Sequence, residues 1–560
     1  ALALTAALVV GMTLPAFAGT WYIDDGDISI SAGTSGNKVT QNGEEKASND
    51  TDTVITNHDS STASSNTVTI EAGEGKTVDV TLKNVNIDAS SGAAVSVTGK
   101  GDTNIELNGN NTLTSGSGHA GLEHNKTDDS GTLTITDNNN DGKLTANGGA
   151  GSAGIGGGFG NDGQAAITGG EITASGGSYG AGIGGGRNYN SAGGNGDVTI
   201  SGGKITAKGD DHAAGIGGGG DYSDPTNTGN GNVTISGGEI TASGGWLGSG
   251  IGGGTFGTGT VTIEGSAVIK DAQGGAGAAG IGGGSYGDGD VKVSGNAIIA
   301  NAESARYGSG IGAGQGSLQN NISTVGKVTI EGNAKIENAK SGYGGSGIGG
   351  GAIGIGNVTI KDNAQIGNAI GGEEGAGIGG GALGTGDVTI EGNVTIENAQ
   401  GGAGAAGIGG GAETEPDTKD TRNKVSIKST EAGSPDITAT GGGASDGSLP
   451  GAAAIGSGSV ADGTNEVKSD ITIEGKVTIN ATGGGNVAIG DSTGETKFEN
   501  LAGGTTIKRT DSNGKDVTQD GDVVAEPEPE KPAQPTVTPT ETEAAEAPST
   551  GSVEVERPVT

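Results

Sequence analysis

The sequence predicts an all-β chain: a right-handed parallel β-helix with three short strands per coil of about 30 residues, followed by a disordered tail. Three observations predict it. A unit of three elements recurs along the chain, as in GDVTISGGKITAKGDDHAAGIGGG at 196–219 and GDVTIEGNVTIENAQGGAGAAGIGGG at 386–411. Glycine supplies 124 of 560 residues, about three times its usual share of ~7%. Only 30% of residues are hydrophobic and 2% aromatic, too few for a thick globular core. A thin core renewed in every coil needs only a few aliphatic side chains each time.

Residues 1–18, ALALTAALVVGMTLPAFA, are apolar and end on Ala16-Phe17-Ala18, the small-residue pattern of a cleavage site. A signal peptide clipped at its start and cut before Gly19 is therefore expected. Residues 19–65 are expected to form an irregular lead-in or cap, and 66–500 the helix itself. The first element of each coil reads V-T-I, with Val and Ile directed inward and Thr outward. Its last aliphatic forms a ladder from Leu82 and Leu107 through Ile135, Ile167, Ile200 and on to Ile473. Its outward residues are mostly threonine, from Thr81 and Thr134 through Thr199 to Thr472, with Glu106 and Lys292 as exceptions.

The second element reads I-T-A or a variant, with a short outward file at Thr145, Thr173, Thr206 and Thr241. The third reads G-I-G-G. Its Ile recurs at Ile155, Ile183, Ile216, Ile251, Ile281, Ile311, Ile348, Ile378 and Ile408, then at Ile455 and Ile489. Gly-Gly and Gly-Asn pairs such as Gly202-Gly203 and Gly332-Asn333 supply the turns, because both residues tolerate positive φ. The sequence itself does not fix the hand; right-handedness is taken from the crossover preference of parallel strands and from the family resemblance given below. Residues 501–525 leave the pattern and read as a C-terminal cap or transition. Residues 526–560 hold seven of the chain's twelve prolines among Glu, Thr and Ala, the composition of an extended acidic linker.

Formal net charge is −37, which opposes nucleic acid and anionic membrane as partners, since both require clustered Lys or Arg. There is no cysteine, so disulfides, thiolate chemistry and Cys-ligated metals are excluded. Past the signal, no stretch is apolar and long enough to span a membrane, so the mature chain is expected to lack a span.

Between Thr67 and Gly158 the chain carries VDVTLKNVNIDAS, NIELNGNNTLTSG, AGLEHN, LTITDNNNDGKLTANGG and AGIGGG. This run resembles secreted bacterial carbohydrate-binding-domain-containing proteins with a pectate-lyase-like right-handed β-helix, and the later AGIGGG repeats extend the likeness over about three quarters of the chain. The resemblance implies the fold and a carbohydrate ligand. The Pro-rich tail resembles the wall-spanning stalks of Gram-positive surface proteins, which implies a secreted or cell-wall-associated location.

Gly180-Ala-Gly182-Ile-Gly184-Gly185 matches a dinucleotide fingerprint only in letters, because no helix follows to receive a phosphate. Its glycines are expected to let coils approach closely. His119 and His124 are expected at coil edges, in turns or in solvent. No paired carboxylates recur at fixed positions, so no general acid–base pair is expected and the chain reads as a non-enzyme. Asp137, Asn139 and Asp141 begin like an EF-hand loop, but position twelve is Gly148. No cofactor is expected beyond calcium at this loop, and a polar turn explains the pattern without it.

The aromatics carry the functional expectation. Tyr179, Trp246, Tyr307 and Tyr343 precede a third-element Ile by four or five residues; Phe159, Tyr189, Tyr222, Phe256 and Tyr286 follow one by four to six. Equal phase in a solenoid means one side of the rod. Two aromatic files are therefore expected to flank a shallow groove floored by glycine backbone, where a polysaccharide or glycoconjugate of a host or cell-wall surface would bind. The alternatives are a non-binding rod or stalk, a polysaccharide lyase or hydrolase, and an ice-binding threonine array.

Overall fold

The computed structural model describes residues 18–187, 194–221, 225–412, 422–444, 449–460, 468–490, 496–519 and 521–524. The expected signal peptide, the acidic tail, Tyr189 and Tyr222 lie outside the described residues, Ala18 of the signal excepted. Within them the chain is an all-β parallel β-helix whose only helical element is the single 3-10 turn Ile23–Asp25. No helix among the described residues is long and apolar enough to cross a membrane.

Three sheets run the length of the coil stack. The first has sixteen strands, from Thr20–Tyr22 to Thr496–Glu499, each parallel to the next. At about 4.8 Å per strand this face is about 70 Å long. The second runs from Asn86–Asp88 to Thr505–Thr510. In the third, the pairing passes in one line from Ile28–Ala32 through Val68–Ala72, Val95–Gly99 and Leu122–His124, then through two-residue strands from Ile155–Gly156 to Ile489–Gly490.

Each coil closes around a few small side chains. In one coil these are Val198 and Ile200 of the first strand, Ile205 and Ala207 of the second, and Ile216 of the third, all at most 1% exposed. The third-face isoleucines stack in register from Ile155 to Ile489, as their spacing predicts.

The first-face ladder begins on a different phase from that read in the sequence. Ile135 pairs with Ile105 and Ile105 with Val80, so Leu107 and Leu82 belong two residues further along their strands. Val78, Val80 and Leu82 all point inward, and period two alone cannot choose among them. Thr81 likewise joins Glu106 and Thr136, while Thr134 pairs with Asn104 and Ala166. The second-face threonine file gains Thr112 at its start and gives way to Asp271 beyond Thr241.

Strand pairing also extends into residues 19–65, read above as a lead-in or cap. Thr20–Tyr22 pairs in parallel with Thr53–Thr56, and Ile28–Ala32 with Val68–Ala72. What caps the end is a meander, Asn37–Gln41 and Glu44–Asp50, laid antiparallel on Ile28–Ala32. Its outer strand exposes Glu44, Glu45 and Lys46, charges that discourage edge-to-edge pairing. Buried Asp50 anchors it, accepting hydrogen bonds from the Gly19 amide at 2.9 Å and the Trp21 indole at 2.7 Å. At the other end Val523–Val524 adds antiparallel to Thr505–Thr510, and Arg509 pairs with Asp522 at 2.8 Å, both buried.

Candidate functional site

The third strand changes character along the stack. In the first coils it is five residues long and alternates normally, as in Val95–Gly99. From Ile155 onward only Ile-Gly remains, because the glycine after each Ile adopts φ between +121° and +134° and turns the chain away. A Cβ on Gly156 would lie 2.2 Å from the carbonyl oxygen of Gly184, and one on Gly312 would lie 2.0 Å from that of Gly349. These glycines are required twice over, by backbone angle and by the approach of the next coil.

The diverted chain then folds back over the strand it has left. Numbering each coil from its third-face aliphatic, the amide at +4 donates to the carbonyl at −4 of the preceding coil. Phe159 donates to Gly118, Arg187 to Gly151, Gly220 to Tyr179, Thr255 to His212, Ser285 to Leu247, Gln315 to Gly277, Ala352 to Tyr307, Ala382 to Gly344, Ala412 to Glu374 and Ser459 to Gly404. The ten bonds span 2.7–3.0 Å. They form a fourth ladder, a seam that roofs the glycine strand. Residues −2 to +3 are accordingly buried in every coil from Ile155 to Ile408. The expected groove floored by glycine backbone is therefore not there. The loops carrying the two aromatic files are joined to each other across it.

The rings stand along this seam and mostly pack on one another. Tyr179 stacks on His212 at 5.3 Å, and the Arg187 guanidinium lies 4.3 Å from the same Tyr179 ring. Arg187 also reaches buried Asp221 at 3.7 Å. Burial holds the His212 imidazole below its ordinary pKa, against the opposing pull of Asp211 and Asp221. Phe256 stacks on Tyr286 at 5.2 Å, and Tyr307 meets Tyr343 edge to face at 5.4 Å. The Glu373 carboxylate beside Tyr343 raises its phenol. Phe159 lies over Gly151, where a Cβ would come within 2.4 Å of the ring.

Trp246 differs. It is 64% exposed and has no ring partner among the described residues. It borders an open cleft of about 590 Å³ with Lys208, Asp210, Asp211, Arg306 and the backbone of Gly244, Gly245 and Gly275. Lys208 and Arg306 have no carboxylate within 4.0 Å among the described residues. For Lys208 the cause lies in its column, where the rung neighbours are Ser175 and Ser243. Lys204, four residues earlier, stands between Glu171 and Glu239 in the register and bonds Glu171 at 2.9 Å. Sequence phase flagged Trp246 but not these two cations, although Arg306 shares its position five residues before the Ile.

The remaining expectations fall as follows. Asp137 accepts the amides of Asp141 at 3.3 Å and Gly142 at 3.1 Å, so its carboxylate closes the turn around Asn140, which has φ +60°. Asn139 and Asp141 are exposed on that turn. No group of three His, Asp or Glu side chains among the described residues is placed to hold a metal ion. On the first face Asp79 bonds Asn104 at 2.8 Å, and Glu106 accepts the amide and side-chain nitrogens of Asn138 at 2.7 and 2.8 Å. His124 is not at a coil edge in solvent. It is 1% exposed, in register with Val97, and its ring nitrogens face the carbonyls of Val97 and Gly131. His119 does sit in the seam loop, 3.0 Å from Glu123.

Four stretches, residues 139–159, 166–187, 198–220 and 233–255, match the family model described as Beta helix repeat. Each ends on a seam donor: Phe159, Arg187, Gly220 or Thr255. No curated protein and no solved structure matches the chain. The repeat match and the parallel sheets agree on a structural β-helix.

Proposed function

We propose that this β-helix is a secreted or surface-displayed binding protein that holds carbohydrate on the outside of its seam and catalyses nothing. One observation carries the reading: a tryptophan 64% exposed beside a cleft whose rim offers both donors, Lys208 and Arg306, and acceptors, Asp210 and Asp211. An aromatic face supplies apolar contact to a sugar ring, and flanking polar groups fix its hydroxyls. An exposed indole held out from a scaffold this poor in aromatics has no packing role. Extracellular location belongs to the same proposal and rests on the apolar segment at 1–18. The ligand sought is a polysaccharide or glycoconjugate of a host or cell-wall surface, with no cofactor.

The test is a glycan array with the full chain beside Trp246→Ala. The exposed ring makes no interior contact, so the variant retains its β-sheet circular dichroism. Binding by the parent and loss in the variant supports the reading. Equal binding by both, or none by either, overturns it. A second reading, a non-binding rod, is favoured by the antiparallel strands Glu44–Asp50 and Val523–Val524, each of which ends one sheet of the stack.

A further inference from the structure

The residues five before each third-face Ile stack as a column on the outer edge of the seam. From the coil of Ile216 to that of Ile378 they are Asp211, Trp246, Ala276, Arg306, Tyr343 and Glu373. Backbone bonds hold the rungs together: Leu247 to the Asp211 carbonyl, Ala276 to that of Trp246, Tyr307 to that of Ala276 and Tyr343 to that of Arg306, at 2.6–3.2 Å. The column thus runs along the helix axis, one residue per coil. Ala276 leaves a gap between the indole and the guanidinium, and this gap is the middle of the cleft.

The cleft draws its lining from four successive coils, and three intervals at about 4.8 Å make it about 14 Å long. Tyr343 stands one coil beyond Arg306, 41% exposed, braced edge to face by Tyr307. Two aromatic platforms therefore lie in one file, about 14 Å apart, with Ala276 and the Arg306 guanidinium between them. The cleft is open and not enclosed, as a chain held within its length requires. In the column the Arg306 cation lies between the carboxylates of Asp211 and Glu373, Lys208 and Asp210 add a donor and an acceptor at one end, and the chain as a whole carries a charge of −37. That field repels a polyanion, whereas mixed donors and acceptors suit the hydroxyls of an uncharged sugar.

We propose that the column from Trp246 to Tyr343 binds an unbranched neutral polysaccharide lying along the helix axis, gripped within its length and not at its end. This rests on the carbohydrate reading and adds the ligand's class, direction and extent.

The experiment is calorimetric titration of the full chain with a length series of one neutral linear oligosaccharide drawn from the array hits, and with an anionic polysaccharide alongside. Affinity is expected to rise with length until the ligand covers both rings, then to level off. Tyr343→Ala should weaken long oligomers roughly 3- to 10-fold and leave the shortest binders unchanged; Trp246→Ala should weaken all of them. Both rings are exposed, so both variants keep the fold, checked by circular dichroism. A disaccharide that binds as tightly as a hexamer, an equal effect of Tyr343→Ala on short and long ligands, or stronger binding of the anionic chain overturns the proposal while leaving carbohydrate binding intact. No binding of any saccharide overturns both.

Discussion

The amide of Ala352 donates to the carbonyl of Tyr307 in the preceding coil across 2.7 Å, and the Tyr307 side chain meets Tyr343 edge to face. One backbone bond thus closes the roof over the glycine strand and sets the stance of a surface ring. Ala352→Pro removes the donor and leaves a partly covered carbonyl without its partner. The expected cost is about 1–3 kcal/mol, with faster hydrogen exchange confined to residues 347–354. Ala352→Ser keeps the amide and should behave as the parent. If exchange in the proline variant is unchanged there, the seam does not hold the roof down.

Glycines of the third strand and glycines of open loops should respond oppositely to alanine. Gly312 has φ +134° and a neighbour's carbonyl oxygen 2.0 Å from the Cβ position, so Gly312→Ala should lower stability by about 2–5 kcal/mol. Gly443 has an ordinary backbone angle and nothing within 4 Å, so Gly443→Ala should be neutral or stabilise by up to about 1 kcal/mol. Urea unfolding followed by circular dichroism separates the two, and similar midpoints would show the close approach to be unimportant.

Glu171 lies between Lys143 and Lys204 in the ladder and bonds both, at 2.8 and 2.9 Å. The two ammonium groups lower its carboxyl from 4.5 to about 2. The folded value is depressed, so what the carboxylate contributes is fully present above pH 4.5 and is lost as pH falls from there toward 2. Carbon-13 NMR of the side chain should show the low titration. Molar salt should move it toward the ordinary value, because all three side chains are in solvent. A carboxyl that titrates near 4.5 at low salt would mean that the ladder pairs do not form.

His124 provides the opposite end of the pH scale. Burial holds its imidazole below 6.5, so the native coil keeps it neutral while the unfolded chain takes up a proton. Stability from this residue is complete above pH 6.5 and declines below it. His124→Leu, which restores the aliphatic column of Ile70 and Val97, should remove that decline between pH 7 and 5, even though it takes away the neutral ring's single N–H from the Val97 and Gly131 carbonyls that its nitrogens face. Parent and variant melting curves with the same pH slope would place the acid sensitivity elsewhere.

What the sequence disclosed depended on whether side chains or backbone carried the signal. The third-face file from Ile155 to Ile489 was legible because one aliphatic is followed by glycine in every copy. The first-face file slipped at Leu82 and Leu107 because TVDVTLK offers three inward aliphatics. The seam was not legible. Its donors include Phe159, Arg187, Gly220, Thr255 and Ser285, which share no chemistry, because only their amides matter. Lacking it, phase alone supplied an open groove where the chain has a roof. Tyr179, Phe256 and Tyr286 then proved to be packed against neighbouring side chains, whereas Trp246 is 64% exposed.

The seam also separates what must stay constant from what is free to vary. The coil from Ile311 to Ile348 is longer than those on either side, yet Gln315 and Ala352 keep their seam bonds. The extra residues sit after the clamp, in a small loop tied by mutual bonds between Ser317 and Ile322. Each coil is latched before the chain leaves for its next V-T-I strand, so added sequence at that point rides outside the latch as a passenger. The molecule is in effect a pegboard. Peptides grafted after successive latches would be presented in a row at a pitch of about 4.8 Å, with the stack beneath them undisturbed.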